Sequence, residues 1–564
     1  MSITEHENRR NLSLFWKVIA PTVLILVFWW TQALYGFNPS DDGFILAQSW
    51  RLINGEIPHV DFTSPRPLGS AFVHAPFALL PVGMLAASRL FVVFQFYWIA
   101  KMSMKIVFKE SELERTFIGF SLTAVTFLIN IGTWPIMAWH TLDGIFVGVT
   151  AIAIAKTNIE KSQNRILYWI IPFLLAGIAP LVKQGFVVVP ALMLILIIVA
   201  KMKNLIPWAG LMLFPGVLFL IATIQTPGGL LSQLHSGSRR ELIKPLDTFL
   251  SGVKGEGLIS PSSALVLVLF GSFIISRKSP RMAMLGSILA TLIAIRISVL
   301  QDFSMFNYWS GCFFLIVSFL LVMFCREFIE LVKFGSILAL AFAASLSWGV
   351  PNPSLLGGSL FLAAIGFLHS LNRKSSVFKP ISSSVLSAVV AGVVVLASVF
   401  MFQTRSRNAY SEPPREQLTF SIDLPQFKFI KMSKNTAEYL NSVQFCLAQY
   451  PAETLVVLPD GPGLYPLFNN VNPFDSDWWL GLEKAPDKER RDLVTVQKLN
   501  DRDDWLVLVQ SYSVFDLTKI PNEYVRLKRD MFFHDSADSK VFDSLEGDLV
   551  ACNSFTGKYK PNGT

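Results

Sequence analysis

The chain has 564 residues, of which 52% are hydrophobic and 16% are charged. Soluble domains carry about 25% charged residues, so this composition excludes an ordinary soluble protein and predicts a membrane protein. The formal net charge of +8 comes from 48 basic and 40 acidic residues. The basic residues stand singly or in small groups between apolar runs, which is typical of cytoplasmic loops and predicts no nucleic-acid partner.

The first apolar run covers residues 12–34 and carries Arg9, Arg10 and Lys17 on its N-terminal side. It is too long and bulky for a cleaved signal peptide, so we interpret it as an uncleaved first span. Basic residues concentrate on the cytoplasmic side of membrane proteins. The sequence therefore predicts a cytoplasmic N-terminus and an extracytoplasmic loop directly after this span.

The later basic clusters orient the remaining spans, each of which needs about 20 apolar residues, or somewhat fewer inside a bundle. All of them fall on the cytoplasmic side if the run 67–85 is a re-entrant or membrane-surface segment of the first outer loop. The predicted spans are then residues 12–34, 86–108, 116–134, 138–155, 166–182, 186–200, 205–225, 259–276, 282–300, 309–325, 334–350, 357–371 and 381–402. About thirteen crossings predict a polytopic α-helical membrane protein whose C-terminus lies outside.

Composition changes sharply after the last span, where apolar runs give way to mixed segments with many charges. We therefore predict a transmembrane domain, residues 1–404, and a soluble extracytoplasmic domain, residues 405–564. Within the second domain the pattern predicts a helix over 434–448 and strands over 454–458 and 505–510. This order is typical of a small α/β domain.

Cys446 and Cys552 are the two cysteines of the predicted soluble domain. An extracytoplasmic space is oxidising, so these residues are candidates for a disulfide. The alternative is two buried free thiols. Cys312 and Cys325 stand in apolar segments, and neither pair has the spacing of a metal site.

Asp41 and Asp42 lie in the polar loop that follows the first span. Adjacent carboxylates in such a place suit a general base, a pair of metal ligands or the start of a helix. The last interpretation has its own support, because Pro39 and Ser40 precede the pair and a helical pattern follows it. One carboxylate can serve each purpose.

Four more polar side chains follow in the first outer loop. They are His59, Asp61, Arg66 and His74. Any one of them alone is more often structural than catalytic, so they are secondary candidates.

Ionisable residues also mark the outer ends of later spans. His140 and Asp143 stand at the mouth of an apolar run, where a carboxylate placed at a helix centre would cost roughly 2.5 to 3.5 kcal/mol. They predict a second acidic or hydrogen-bonding element facing Asp41, with interfacial solvation as the alternative. Lys183 and Gln184 form a tight outer turn that suits a phosphate, with snorkelling of the lysine to the interface as the alternative.

The outer loop 226–258 adds Arg239 and Arg240 in an amphipathic context, typical of a segment that lies on anionic lipid. Both are further candidates for binding a phosphate group of the substrate. Together the outer loops gather carboxylates and cations on one membrane face. Such a site can deprotonate an acceptor hydroxyl and stabilise a departing phosphate, which displacement at a sugar phosphate requires.

Short motifs in about the first 190 residues resemble the GT-C superfamily of polyprenyl-phosphate-dependent glycosyltransferases, near protein O-mannosyltransferases and lipid A aminoarabinose transferases. Asp41-Asp42 stands where that superfamily has an acidic pair. The continuation of its first loop resembles AQSWRLINGEIPHVDF, and its proline-rich return to the membrane resembles RPLGSAFVHA. Its second-loop motif with Asp resembles WHTLDG, and its Lys motif resembles LVKQG. Two departures are Asp42 in place of the commoner Glu and His59 where Tyr is usual.

The resemblance implies an inverting transfer of a sugar from an undecaprenyl-phosphate-type donor to an unassigned acceptor such as lipid A, a polysaccharide or a protein. It implies a bacterial inner-membrane protein with a periplasmic C-terminal domain. By position, Asp41 is the base, Asp42 its neighbour, and Lys183 with Arg66 the phosphate ligands. Since one branch of the superfamily requires a divalent cation, Asp41, Asp42 and Asp143 also stay candidate ligands of Mg²⁺ or Mn²⁺.

Two other functions are alternatives to a transferase. A lipid or solute transporter would also use many spans with buried polar residues, but transporters commonly show inverted repeats, which this sequence lacks. The acidic residues also cluster at one membrane face instead of the midplane. The remaining alternative is a catalytically inactive membrane scaffold whose C-terminal domain binds a partner.

Overall fold

A computed structural model describes most of the chain outside its middle third. The described residues are 14–108, 116–132, 135–223, 327–346, 354–373, 401–407, 412–458, 461–477, 488–510, 542–553 and 555–562, with single residues and short pieces between 233 and 399. The predicted spans 259–276 and 282–300 lie outside these residues.

The N-terminal part of the described chain is a bundle of helices. Its α-helices, in chain order, are α1 (Phe15–Ala33), α2 (Asp41–Ile53), α3 (Gly69–Ala78), α4 (Met84–Val107), α5 (Phe117–Ile131), α6 (His140–Glu160), α7 (Ile170–Val182), α8 (Val188–Val199), α9 (Phe214–Ala222), α10 (Phe328–Ser345) and α11 (Gly357–Arg373). Shorter 3-10 turns are Ile166–Tyr168, Gln184–Val187, Lys203–Met212 and Ser354–Leu356.

Several of these helices can cross a membrane. Among the described residues, five stretches are long and apolar enough by length and composition: Phe15–Ala33, Met84–Val107, His140–Glu160, Lys203–Ala222 and Phe328–Ser345. Shorter apolar helices accompany them at Phe117–Ile131, Ile166–Val182, Gln184–Val199 and Gly357–Phe367. This content fits a multi-pass membrane fold, while the total of thirteen crossings stays a prediction.

Helices α1 and α3 differ in how they meet the bundle. α1 keeps Val23 and Trp30 more than half exposed, at 54% and 59%, which a lipid-facing helix can do without cost. α3 has only 10 residues and therefore extends about 15 Å, half of a hydrocarbon core of about 30 Å. The helical part of the run 67–85 is thus too short to cross by itself, and the placement of this run as a re-entrant or surface segment stays a prediction.

The C-terminal part combines helices with one mixed sheet. Its elements are α12 (Lys434–Gln449), β1 (Thr454–Leu458), α13 (Leu464–Leu467), α14 (Lys488–Asn500), β2 (Trp505–Gln510), β3 (Asp548–Cys552) and β4 (Phe555–Lys560). The strand order is β1-β2-β4-β3, with β1 parallel to β2 and the other two pairs antiparallel. The predicted helix and both predicted strands are present; the domain boundary at residue 405 stays a prediction.

The C-terminal part packs directly on the loop that follows α1. Leu34, Phe37 and Met84 share one apolar core with Phe427 and Ile430. Two backbone hydrogen bonds reinforce this contact, from the amide of Lys431 to the oxygen of Leu34 (2.8 Å) and from the amide of Gly36 to the oxygen of Lys431 (2.7 Å). The first outer loop therefore lies between the helical bundle and the C-terminal part.

A disulfide joins Cys446 of α12 to Cys552 of β3, with the Cα atoms 5.6 Å apart. Both residues are buried. The bond ties the helix to the edge strand of the sheet across 106 residues of chain. A crosslink of this span restricts the unfolded chain and stabilises the fold by about 4 to 5 kcal/mol in the chain-entropy model.

Counting reactive thiols tests this disulfide. The chain has 4 cysteines. We expect alkylation of the denatured, unreduced protein to modify only Cys312 and Cys325, and alkylation after reduction to modify all four, as read by intact mass. Four modified cysteines before reduction would show that Cys446 and Cys552 are free thiols.

Candidate active site

The polar loop after α1 turns into α2 at Asn38. The Oδ1 atom of Asn38 accepts hydrogen bonds from the amides of Ser40 (2.9 Å) and Asp41 (3.0 Å), and the amide of Asn38 donates to Oδ2 of Asp42 (2.9 Å). The first amides of a helix need acceptors, and carboxylates in the first turn interact favourably with the positive helix end. Asn38 and Asp42 therefore organise the start of α2.

Arg89 of α4 holds Asp42 in this position. Its guanidinium donates to Oδ2 of Asp42 (3.1 Å) and to the backbone oxygens of Gly36 (2.7 Å) and Ala33 (2.8 Å). Burial raises the pKa of Asp42, and the nearby Arg89 charge opposes that shift. Asp42 thus joins the loop to α4, and the neighbouring Asp41 is also buried, at 3% exposure.

Arg89 was not among the predicted site residues. It stands inside the predicted span 86–108, between Ser88 and the apolar Leu90. An ionisable residue in such a run requires a partner, so the cost of its burial was a usable signal in the sequence. Its acidic partner is Asp42.

Asp143 is buried in the first turn of α6. Its Oδ1 atom accepts a hydrogen bond from Nε2 of Gln95 (2.7 Å) and lies 3.1 Å from Nε2 of His74. Asp143 and His74 are fully buried. None of the hydrogen bonds of Asp143 within the described residues goes to Asp41 or Asp42, so this group links α3, α4 and α6.

Lys183 lies at the end of α7, where the chain leaves the helix in an extended conformation. Its Nζ atom donates to Oγ1 of Thr141 in the first turn of α6 (3.0 Å). The neighbouring Gln184 donates from Nε2 to the backbone oxygen of Pro65. The predicted outer turn therefore connects the first outer loop with the N-terminus of α6.

Close backbone packing fixes this turn. A Cβ atom on Gly144 would lie 2.3 Å from the ring of Phe186, and one on Gly69 would lie 2.6 Å from the oxygen of Leu181. Both contacts are shorter than van der Waals packing permits. Glycine at these two positions lets α6 and α3 approach the residues on either side of Lys183.

Arg66 and His140 belong to the same neighbourhood. The guanidinium of Arg66 lies over the ring of Phe44 at 5.9 Å, Phe44 neighbours Trp139 at 6.1 Å, and Trp139 neighbours His140 at 4.8 Å. Arg66 and Lys183 are both close enough to the His140 ring to interact with it electrostatically. Phe44 stands one helical turn after Asp41, so Asp41 lies on the same side of α2 as the ring that contacts Arg66.

His59 and Asp61 shape the outer loop. His59 has a φ of 63° and its Nδ1 atom lies 2.7 Å from Oε1 of Gln233; burial lowers the pKa of this histidine. Oδ2 of the exposed Asp61 accepts a hydrogen bond from the amide of Ile57 (2.7 Å), which closes a turn. The predicted secondary candidates in this segment therefore have structural contacts.

Two sets of predicted residues remain, the arginines of the outer loop 226–258 and the carboxylates proposed to bind a metal ion. Arg239 and Arg240 lie outside the described residues. Within the residues that are described, no group of three or more His, Cys, Asp or Glu side chains could hold a metal ion. Asp42 is paired with Arg89, and Asp143 is paired with Gln95 and His74. We therefore assign no step of the reaction to Mg²⁺ or Mn²⁺.

The C-terminal part contributes contacts to α2 that were not predicted. Nε of Arg51 donates to both carboxylate oxygens of Asp477 (2.9 Å each), and Nη1 donates to Oε2 of Glu56 (2.6 Å). A Cβ atom on Gly43 would lie 1.8 Å from the Cα atom of Gly463. The helix that begins with Asp41 is therefore clamped at its first turn and near its end.

A weak signal for these contacts existed in the sequence. Two acidic residues in the segment NPFDSDWW, residues 472–479, stand among aromatic side chains. Nothing in the spacing indicates that Asp477 of this segment contacts Arg51 about 430 residues earlier, because long-range pairing leaves no local pattern.

No family model and no curated protein matches this chain. Among solved structures, ArnT from Cupriavidus metallidurans bound to undecaprenyl phosphate matches at a TM-score of 0.44 and 11% identity, over 96% of this chain and 97% of that one. The archaeal oligosaccharyltransferase AglB from Archaeoglobus fulgidus, with an inhibitory peptide and a dolichol-phosphate, matches at 0.40 and 12%, over 90% and 70%. Arabinosyltransferase EmbB from Mycobacterium smegmatis matches at 0.30 and 12%, over 68% and 40%.

These structures are of a protein bound to undecaprenyl phosphate, an oligosaccharyltransferase and an arabinosyltransferase. At 11 to 12% identity and TM-scores below 0.5, the similarity assigns neither an activity nor a ligand to this chain.

Proposed function

We propose that this chain is an inverting glycosyltransferase that moves a sugar from a polyprenyl-phosphate donor to an extracytoplasmic acceptor. The observation that carries the proposal is the placement of the buried Asp41 on the side of α2 that carries Phe44. Asp41 begins the helix, and the ring of Phe44, one helical turn later, lies 5.9 Å from the guanidinium of Arg66. From Phe44 the same region continues to the cations Arg66 and Lys183.

In this proposal Asp41 is the general base. The acceptor oxygen attacks the anomeric carbon of the sugar as Asp41 removes the proton of the acceptor hydroxyl. The bond between that carbon and the phosphate oxygen breaks in the same step, and polyprenyl phosphate leaves with the bonding electrons. A single displacement inverts the configuration at the anomeric carbon. General-base assistance of this kind contributes about 10² to 10⁴-fold in rate.

Lys183 and Arg66 serve the departing phosphate. Lys183 is 93% buried and is fixed by its hydrogen bond to Thr141, so its charge acts in a region with little water. Thr141 lies in the first turn of α6, whose 21 residues direct their positive end toward the same place. Preorganised charges of this type act where negative charge develops in the transition state.

Replacing Lys183 by Gln tests the phosphate role. We expect kcat for release of polyprenyl phosphate from a labelled polyprenyl-phosphate sugar to fall by about 10² to 10³-fold, as for removal of a preorganised donor group. Lys183→Arg should recover part of the loss, because it restores the charge. The matched control is Lys498→Gln on the exposed side of α14, which should keep wild-type turnover.

Unchanged turnover in Lys183→Gln, with the protein folded, would remove Lys183 from the site. Absence of turnover in the wild type with every donor tested would instead count against the transferase itself. The two results are distinct, because the second needs no variant.

A further inference from the structure

A basic cavity lies at the junction of α1, the helical residues 401–407 and the C-terminal part. It has a volume of about 900 Å³ and is lined by Tyr35, Arg407, Arg415, Glu416 and Lys431, among others. Pockets for small ligands and head groups have volumes of about 300 to 1,000 Å³. The cavity is therefore large enough for a polar head group, and none of the residues proposed for sugar transfer lines it.

The cavity lies where the apolar surface of the protein ends. Val27 and Trp30 of α1 are 49% and 59% exposed and face the hydrocarbon in a membrane-spanning arrangement. Tyr35 follows only five residues after Trp30, and Arg407 follows five residues after the predicted last span. The predicted spans end at residues 34 and 402, so we expect both residues near the level of the lipid phosphates.

The side chains of the cavity are held in place by the fold. The guanidinium of Arg415 lies over the ring of Tyr35 at 4.1 Å. Lys431 pairs with Tyr35 in a parallel β-bridge, which fixes its backbone against the end of α1. Arg415 and Lys431 are thus both held against the first outer loop.

The charge of the cavity points to an anion. Arg407, Arg415 and Lys431 oppose a single carboxylate, Glu416, so the lining has an excess of two positive charges. By the predicted orientation this is the outer face, where basic residues are normally sparse, so topology alone does not account for the cluster. Basic pockets at the membrane surface bind lipid head-group phosphates.

We propose that this cavity binds the phosphate group of an anionic membrane lipid at the outer membrane surface. The three cations receive the phosphate, and the acyl chains lie along the exposed apolar side chains of α1. The site is separate from the region of Lys183 and Arg66 and does not depend on sugar transfer. The lipid would bind at the junction between the helical bundle and the C-terminal part.

Lipid retention by the detergent-solubilised full chain tests the proposal. Native mass spectrometry would count bound phosphatidylglycerol in the wild type and in Arg407→Gln/Arg415→Gln/Lys431→Gln, with phosphatidylcholine as the uncharged comparison. At roughly fivefold for each cation, we expect the triple variant to weaken phosphatidylglycerol binding by on the order of 100-fold. The matched control removes the same charge elsewhere: Lys434→Gln/Lys498→Gln/Arg502→Gln should bind like the wild type.

A competition arm distinguishes the source of the phosphate. If inorganic phosphate displaces phosphatidylglycerol only when it is in large excess, the ligand is a lipid. If inorganic phosphate binds without any lipid, the cavity is a phosphate site whose ligand is a free anion. Equal phosphatidylglycerol binding by the wild type and the folded triple variant would overturn the proposal. Equal binding of phosphatidylcholine and phosphatidylglycerol by the wild type would overturn it as well.

Discussion

Replacing Asp41 by Asn is expected to lower kcat for sugar transfer by about 10² to 10⁴-fold while leaving donor binding within a few fold. The amide has nearly the same shape as the carboxylate and can still accept hydrogen bonds, but it cannot take the proton of the acceptor. The measurement is the release of polyprenyl phosphate at saturating donor, together with the Kd of the donor for each variant.

Asp61→Asn is the matched control for Asp41→Asn. Asp61 lies in the same outer loop and is exposed, and its contact with the amide of Ile57 needs only an acceptor oxygen, which Asn retains. Turnover in this control should equal that of the wild type. Wild-type turnover in Asp41→Asn would exclude Asp41 as the base and would leave it with the role of a helix start.

Replacing Arg51 by Ala is expected to loosen the C-terminal part from α2. Arg51 and Asp477 have side chains only 3% exposed, so the substitution leaves a buried carboxylate without its cation. Removing one partner of a buried ion pair destabilises by about 3 to 5 kcal/mol. The thermal midpoint of the full chain should fall, and a protease should cleave the C-terminal part faster than in the wild type.

Lys434→Ala provides the comparison for Arg51→Ala. Lys434 pairs with Glu438 at 3.5 Å, but the two side chains are 67% and 48% exposed. Surface pairs of this kind contribute about 0 to 1 kcal/mol, so the midpoint should stay close to that of the wild type. Equal midpoints for Arg51→Ala and Lys434→Ala would contradict the clamp at Arg51.

The two predictions concern one helix. Asp41 begins α2 and Arg51 stands near its end, and the contact of Gly43 with Gly463 lies between them. Because the C-terminal part holds the helix at both contacts, Arg51→Ala should also reduce turnover, although Arg51 is no part of the chemistry. A positioning effect of this kind would be partly restored by Arg51→Lys, which keeps the charge but loses the paired hydrogen bonds.

Periodicity and composition were sufficient to predict the local elements. The helical runs and the strands at 454–458 and 505–510 follow from hydrophobic pattern and turn residues, which act over a few positions. The Asp41-Asp42 loop was predicted from the same kind of signal, a polar pair after an apolar run. These features depend on neighbours in sequence, so the sequence contains them.

The pairing of the site residues could not be obtained in that way. The sequence predicted an acidic or hydrogen-bonding element at Asp143, but not that its partners are His74 and Gln95 on neighbouring helices. Which buried polar groups meet depends on helix rotation and close packing, as at Gly144, and neither is written in a local pattern. Arg89 is the exception, because its burial in an apolar run already required a partner.

The most direct test of the account is the stoichiometry of the reaction of the purified full chain. With a polyprenyl-phosphate sugar as donor and a set of lipid, polysaccharide and peptide acceptors, we predict one polyprenyl phosphate released for each glycosylated acceptor, with inversion at the anomeric carbon. Failure to release polyprenyl phosphate from any donor, while the same preparation moves lipid or solute across proteoliposomes, would contradict the account and favour a transporter.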